Sequence, residues 1–265
     1  MQLQDKNIVV TGAGGGIGAA LVRRFAQDGP RTIVLADVDG AAAQAVVDEL
    51  EPGFDTVVVE ADLGTEAGNV EVVRAAEEFG PVDLLCLNAG IAVGGGVEAP
   101  DEDWYRIFDI NVMAHVWAVR AALPGMLAQG SGYILTTASA AGLLTNLGAA
   151  PYAVTKHAAV ALAEWLAITH GDAGIKVSCL CPQGVRTKML FPDDEDLAKS
   201  TGAESVRMQG VIEPDELAEV VAAGLADERF LILPHPEVLD YWRRKTDDYD
   251  RWIGGMRKLQ ARTQG

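Results

Sequence analysis

The chain reads as an α/β protein built on one parallel sheet of seven strands flanked by helices. Short aliphatic, β-branched runs alternate with longer stretches of helical period along the sequence. The runs are apolar almost throughout, as strands covered on both faces must be. The composition, 49% hydrophobic with 29 glycines, suits a covered sheet joined by tight turns.

Strands are expected near residues 7–10, 32–36, 56–59, 84–87, 133–137, 176–181 and 230–233. The strongest helical stretches between them cover residues 104–127 and 152–170. Residues 191–209 are polar and acidic, include Asp193-Asp194-Glu195-Asp196, and show no period, so a mobile insertion is expected there. No linker divides the chain. Residues 1–235 are read as the main unit, and residues 236–265 as a helical extension of the same domain.

The first strand runs into Thr11-Gly12-Ala13-Gly14-Gly15-Gly16-Ile17-Gly18, which opens a helix. Glycines here permit a tight turn, close approach of backbone to a pyrophosphate, and tight packing of helix on strand. The helix start offers free N–H groups to phosphate. A glycine run alone marks only a turn; its place between the first strand and a helix points to a dinucleotide and a doubly wound Rossmann fold. The second strand ends in Ala36-Asp37-Val38. A carboxylate there accepts ribose hydroxyls and repels a 2′-phosphate, and Gly14, Gly15 and Val38 supply no positive charge. The expected cofactor is therefore NAD rather than NADP. Helix capping is the other role for Asp37, and Asp39 fits it better.

Tyr152 and Lys156 lie four residues apart on one helix, with Ser139 thirteen residues upstream of Tyr152. The ammonium can lower the phenol pKa, and a hydroxyl from a neighbouring strand can hold a carbonyl or alcohol oxygen against that phenol. Together they form a proton relay for hydride chemistry at a secondary alcohol. Spacing alone is insufficient, because Tyr241 and Lys245 repeat it with Glu228 thirteen residues upstream and no glycine-rich turn before them.

With these residues in order, the chain resembles the short-chain dehydrogenase/reductase family over residues 6–233. Further motifs carry the resemblance: Thr11 in the glycine pattern, Ala61-Asp62-Leu63 after the third strand, and Asn88-Ala89-Gly90 ending the fourth. Asn111 in the long helix and Pro182-Gln183-Gly184-Val185-Arg186-Thr187 complete them. The resemblance implies that Tyr152 is the general acid/base and that Lys156 lowers its pKa and binds the nicotinamide ribose. It implies that Ser139 bonds the substrate oxygen and that Asn111 holds a relay water. It further implies that Thr11, Gly12, Gly16, Ile17, Gly18, Asp37, Asp62, Leu63, Asn88, Ala89, Gly90, Pro182, Val185 and Thr187 contact the cofactor. Three departures stand out. Leu87 replaces a second Asn, Gln183 replaces a Gly beside the nicotinamide, and the Val-Asp-Gly-Gly ending of many members is absent.

The pocket is expected beyond the C-terminal ends of the strands, walled by residues 94–96 with Leu143, Leu144, Gln183, Met189, Leu190 and Phe191. Those walls favour a hydrophobic secondary alcohol or ketone; a sugar or polyol dehydrogenase and a non-catalytic NAD(H)-binding redox sensor are the other readings. The net charge of −17 and pI near 4.5 argue against nucleic acid or an anionic membrane as partner. No apolar run reaches the ~20 residues of a membrane span. The first residues lack a signal peptide's apolar core, and a cytoplasmic protein is expected. Cys86, Cys179 and Cys181 lie in strand-like runs and read as core. His115, His157, His170 and His235 show no ligand spacing, so no metal is expected and surface or packing roles are assigned to all four.

A homo-oligomer, tetramer or dimer, is expected because both long helices carry apolar residues beyond one face. These are Ala114, Ala118, Ala121 and Ala122 on the first, and Ala158, Ala159, Ala161, Leu162 and Trp165 on the second. Related proteins pair these helices across a two-fold axis; the same alanines also suit helices facing their own sheet. In the extension, Val238, Leu239, Tyr241, Trp242, Tyr249, Trp252, Ile253, Met256 and Leu259 recur at helical steps. An amphipathic arm over residues 236–260 is expected, weakened near Gly254-Gly255, either packing near the substrate entrance or adding core and interface area.

Overall fold

A computed structural model describes residues 1–51, 53–191 and 210–263. The chain begins β1 (Asn7–Thr11), α1 (Gly16–Ala26), β2 (Thr32–Asp37), α2 (Gly40–Asp48), β3 (Asp55–Glu60), α3 (Glu66–Glu77) and β4 (Leu84–Leu87). It continues α4 (Asp101–Phe108), a π-helical segment (Asp109–Met113), α5 (Ala114–Gln129), β5 (Gly132–Thr137), α6 (Ala141–Leu144), α7 (Ala150–His170) and β6 (Ile175–Leu180). It ends β7 (Gly184–Val185), β8 (Val211–Ile212), α8 (Pro214–Ala226), β9 (Leu231–Ile232), α9 (Glu237–Asp247) and α10 (Tyr249–Thr263).

Seven strands form one parallel sheet in the order β3-β2-β1-β4-β5-β6-β9. Successive side chains of a strand point to opposite faces, and the core divides accordingly. Ile8 and Val10 pack with α1, α2 and α8, while Val9 packs with α3, α5 and α7. Strand order reverses between β1 and β4, so their connections leave on opposite faces and open a crevice at the strand ends. Each of the seven expected strands is present.

Three features depart from the sequence expectation. β7 and β8 pair as a separate two-stranded sheet, each only two residues long. The first long helix is not uniform: its backbone widens into the π segment around Asn111 before α5 begins. The extension is two helices, not one arm bent at its glycines. The break lies at Asp248, which is extended (φ −154, ψ 95) and accepts a hydrogen bond from the Arg251 N–H at 2.9 Å. An Asp in that position caps a new helix, and α10 then runs through Gly254 and Gly255 without interruption.

The run Asp101–Gln129 is long and apolar enough to cross a bilayer by length and composition alone. Its apolarity has another account, since Ile107, Ala118, Val119, Ala122 and Met126 are buried against the sheet and its neighbours. The insertion expected at 191–209 lies, apart from Phe191, outside the described residues.

Candidate active site

The glycine turn is shaped by close approach. Gly12 has φ +65, and a Cβ there would meet Ala89 Cα at 2.9 Å. A Cβ on Gly18 would fall 2.0 Å from the Gly12 carbonyl oxygen, so α1 can leave the turn only with glycine at that position. Gly15, by contrast, has nothing within 4 Å of its would-be Cβ. The turn is fastened to β4 by two polar side chains. Thr11 Oγ1 donates to the Cys86 carbonyl (3.1 Å) and accepts from the Asn88 and Ala89 N–H groups (2.9 and 3.1 Å). Asn88 Nδ2 donates back to the Thr11 and Gly12 carbonyls. Asp37 stands across the turn: its Oδ2 accepts from the Gly14 N–H (2.8 Å) and its Oδ1 from the Asp39 N–H (3.1 Å). Asp39, not Asp37, caps α2, accepting from Ala42 N–H at 2.9 Å.

These residues open on one large cavity of about 1720 Å³. Gly12, Gly14, Gly15, Gly16, Ile17, Asp37, Asp62, Leu63, Asn88, Ala89 and Gly90 line it at one end. Ser139, Leu144, Tyr152, Lys156, Pro182, Gln183, Val185, Thr187, Met189 and Leu190 line it elsewhere. A Gly-backed turn at a helix start, an acidic side chain at the end of β2, and a cleft over the strand ends fit a dinucleotide. Thr11 and Gly18 do not reach the cavity. Thr11 is buried in the β1–β4 lock and Gly18 beneath the turn, so both shape the site without lining it.

Lys156 is 3% exposed, and its Nζ donates to the carbonyl of Thr137, the last residue of β5, at 2.9 Å. It lies 5.7 Å from the centre of the Tyr152 ring. Burial lowers its pKa to about 8. The Tyr152 phenol moves the other way. Burial raises its pKa, outweighing the lowering effect of a Ser139 hydrogen bond. Desolvation is the largest influence on the phenol in this arrangement, so its net shift is upward. Ser139 Oγ accepts from the Ala141 N–H at 3.1 Å, and its contact with the Pro182 carbonyl is long, 3.4 Å. Its hydroxyl hydrogen is therefore only weakly engaged.

Asn111 is fully buried in the π segment, an irregularity frequent at functional sites. Its Oδ1 accepts from Ile91 N–H (2.9 Å), and its Nδ2 donates to Ile91 O (3.0 Å) and Thr155 Oγ1 (3.3 Å). These bonds brace the segment after Gly90 against α7.

Several expected walls lie elsewhere. Leu143 points into the core, while its neighbour Leu144 lines the cavity. Gly95 and Gly96 do not reach it, and Phe191 sits under the Arg186 guanidinium, 5.1 Å from ring centre to Cζ. Tyr105, Arg106, Asn146 and Leu147, not anticipated, add to the lining from the body; from the extension come Tyr241, Trp252, Met256 and Leu259, members of the stripe expected near the substrate entrance, together with Arg244. Lys245, the decoy lysine, donates to the Leu143 carbonyl at 2.6 Å and so ties α9 to α6. His235 is buried. Its Nδ1 accepts from the Gln183 N–H, and its Nε2 bonds the Gly184 carbonyl, each at 3.1 Å, which fixes the Nε2–H tautomer.

His115 is buried behind this site, and neither ring nitrogen makes a hydrogen bond of good geometry among the described residues. Burial first, and the charge of Lys156 second, lower its pKa to about 3. It is a neutral packing residue. Between pH 6.5 and about 3 the unfolded chain takes up a proton that the folded protein refuses, so stability falls as pH drops through that window. His115→Leu is expected to flatten this acid limb by up to ~1.4 kcal/mol per pH unit. Urea unfolding at pH 6.5, 5.5 and 4.5 measures it; an unchanged slope contradicts the assignment.

Comparison with known proteins gives consistent results. A family model described as short chain dehydrogenase matches residues 6–198. A 1-deoxy-11-beta-hydroxypentalenate dehydrogenase from Streptomyces exfoliatus is 35% identical over 260 residues, covering 96% of this chain and 91% of that protein. A meso-2,3-butanediol dehydrogenase from Serratia marcescens is 33% identical over 234 residues, 88% of this chain and 92% of that protein. Among solved structures, a short-chain dehydrogenase/reductase from Burkholderia phymatum in complex with NAD superposes with a TM-score of 0.85 at 33% identity. It covers 94% of this chain and 96% of that one.

Proposed function

The chain belongs to the short-chain dehydrogenase/reductase family, and we propose that it is an NAD-dependent oxidoreductase interconverting a hydrophobic secondary alcohol and its ketone. The observation that carries this reading is the convergence of Ser139, Tyr152 and Lys156 on one cavity with the glycine turn and Asp37. When bound, the nicotinamide supplies the hydride acceptor. The protein orients the reactants and moves the proton.

Ser139 donates its weakly engaged hydroxyl hydrogen to the substrate oxygen. Tyr152 takes the hydroxyl proton in oxidation and returns it in reduction. Lys156 keeps one N–H on Thr137 and has two more for ribose hydroxyls. Asn111 positions the loop on which the nicotinamide side of the cleft is built. Val93, Leu144, Leu147, Met189, Trp252 and Met256 make the wall apolar, which supports a hydrophobic substrate over a sugar. The butanediol and hydroxypentalenate dehydrogenases named above are in line with a secondary alcohol.

Tyr152→Phe is expected to lower kcat by at least ~100-fold, the usual worth of a positioned acid/base, while NADH affinity stays within a few-fold. Turnover with a panel of lipophilic secondary alcohols, beside fluorescence titration of NADH, checks both. Near wild-type kcat in the variant would refute the mechanism. An inert wild type that still binds NADH would favour a sensor.

NAD is expected over NADP. Asp37 has its two oxygens on Gly14 and Asp39 and faces the cleft with no cation paired to it among the described residues, so a 2′-phosphate meets an uncompensated carboxylate. The ratio of kcat/KM for the two cofactors reads this directly, and Asp37→Ala should narrow it. A wild-type preference for NADP would reverse the assignment.

We further propose a homo-oligomer. Ala114, Ala118, Ala122 and Ala159 face the protein's own core. The outward surface is instead a stripe on α7, in which Val154, Trp165 (56% exposed) and Ile168 (83%) are open and Ala158 and Ala161 lie between them. The spacing places all five on one helix face, and an exposed apolar stripe of this kind suits an isologous contact. Light scattering at micromolar concentration should report a dimer or tetramer, and the double variant Trp165→Glu, Ile168→Glu a smaller species. A monomeric wild type removes the idea.

A further inference from the structure

Five residues of the extension reach the cavity: Tyr241 and Arg244 from α9, and Trp252, Met256 and Leu259 from α10. Four are apolar or aromatic; Arg244 alone is charged. Its guanidinium lies 5.9 Å from the Tyr241 ring centre and makes no ion pair among the described residues. Its neighbour Arg243 is paired with Asp240 instead. A second Arg, Arg106 on α4, also lines the cavity, with Glu102 one helical turn before it on the lining.

Arg244 is also held in place. Lys245 beside it donates to the Leu143 carbonyl, and Val238 at the start of α9 is fully buried. The Arg244 side chain is exposed at the cavity mouth, and a guanidinium carried on an anchored helix, with no acceptor for its fork of N–H donors among the described residues, is prepared for a planar anion. The remaining tail residues on the cavity would contact an apolar body.

We propose that Arg244 is a specificity-determining residue that binds a carboxylate of the substrate, so that the natural substrate is an apolar hydroxy acid or keto acid and not a neutral alcohol. This rests on the oxidoreductase reading above and adds to it a charged group distant in the molecule from the carbinol carbon. Chemistry at the carbinol is unchanged; the carboxylate contributes binding, and its effect is expected in KM more than in kcat.

The test uses the full-length protein with 5-hydroxyhexanoate, 7-hydroxyoctanoate and 9-hydroxydecanoate, each against its methyl ester. Wild type should favour the acid over its ester in kcat/KM for at least one chain length. Arg244→Gln should reduce that ratio about tenfold or more through KM, as for a lost charge-assisted bond. Arg244→Lys should recover part of it, and Arg257→Gln, outside the cavity lining, should leave it unchanged. An acid-to-ester ratio at or below one for every length, or an equal loss for acid and ester in Arg244→Gln, overturns the proposal while the dehydrogenase reading stands. If no compound in the series is oxidised, the activity reading fails for this class and binding decides. Calorimetry of octanoate with the NADH-loaded protein should then give a Kd at least tenfold weaker in Arg244→Gln. Equal affinities, or no binding to wild type, reject the carboxylate site.

Discussion

A buried ammonium sets the dimensions of the site. Lys156 is almost wholly enclosed, and taking a charge out of water is costly unless it is satisfied. The chain meets that cost with a carbonyl at the end of β5, where the Thr137 oxygen is within reach of a helix crossing the sheet edge. The residual penalty appears as the fall of the Lys156 pKa to about 8, which still leaves the group mostly charged at neutral pH. To bring α7 that close, α6 must pass tightly beneath it. A Cβ on Gly142 would meet the Lys156 carbonyl at 2.5 Å, so glycine there is part of the same constraint. Tyr152, one turn earlier on α7, and Ser139, just before α6, are carried to the cavity by the two elements whose separation Lys156 and Gly142 define.

Around that centre, polar side chains serve mostly to hold loops. Thr11 and Asn88 satisfy one another's backbones across β1 and β4. Asn111 does the same for Ile91, and His235 for Gln183 and Gly184. Buried backbone groups must find partners, and a cleft at strand ends has many that no ladder serves. Supplying those partners from side chains leaves other backbone N–H groups facing the cavity. A residue can therefore belong to the functional pattern of the sequence while never touching what the cavity holds, as Thr11 does.

The strands were legible because burial on both faces gives runs such as Ile8-Val9-Val10 and Leu84-Leu85-Cys86-Leu87, which have few other uses. The grouping of Ser139, Tyr152 and Lys156 on one cavity was legible because its spacing came with a glycine turn, whereas Tyr241 and Lys245 had the spacing alone. What escaped had no period or depended on distance. β7 and β8 are two residues each. α6 is a single turn, so nothing in Ala141-Gly142-Leu143-Leu144 says which leucine faces inward. The extension's helix boundary turned on one capping side chain, Asp248, outweighing two glycines. The direction of the Tyr152 shift depended on how deeply the phenol is enclosed, which a count of neighbouring charges does not contain. The outward stripe of α7 was seen through Ala158, Ala161 and Trp165, while its most exposed member, Ile168, went unnoticed.

The extension shows why core and pocket are not alternatives for such a segment. Val238, Trp242 and Trp252 pack against the same core cluster as α3, α5 and α7, while Tyr241, Trp252, Met256 and Leu259 line the cavity. Trp252 does both. Apolar burial, at roughly 25 cal/mol per Å², fixes the two helices to the body, and the surface left over becomes wall. Lys245 on Leu143 fixes the near end, and His235 fixes the approach from β9 by gripping the segment that carries Gln183. The extension and the residue just before it are thus joined to both sides of the cavity by hydrogen bonds to backbone, Lys245 to Leu143 and His235 to Gln183 and Gly184. Any change that loosens its packing must move the cavity wall and the backbone around these two positions together. Stability of the extension and shape of the site are therefore one property of this fold.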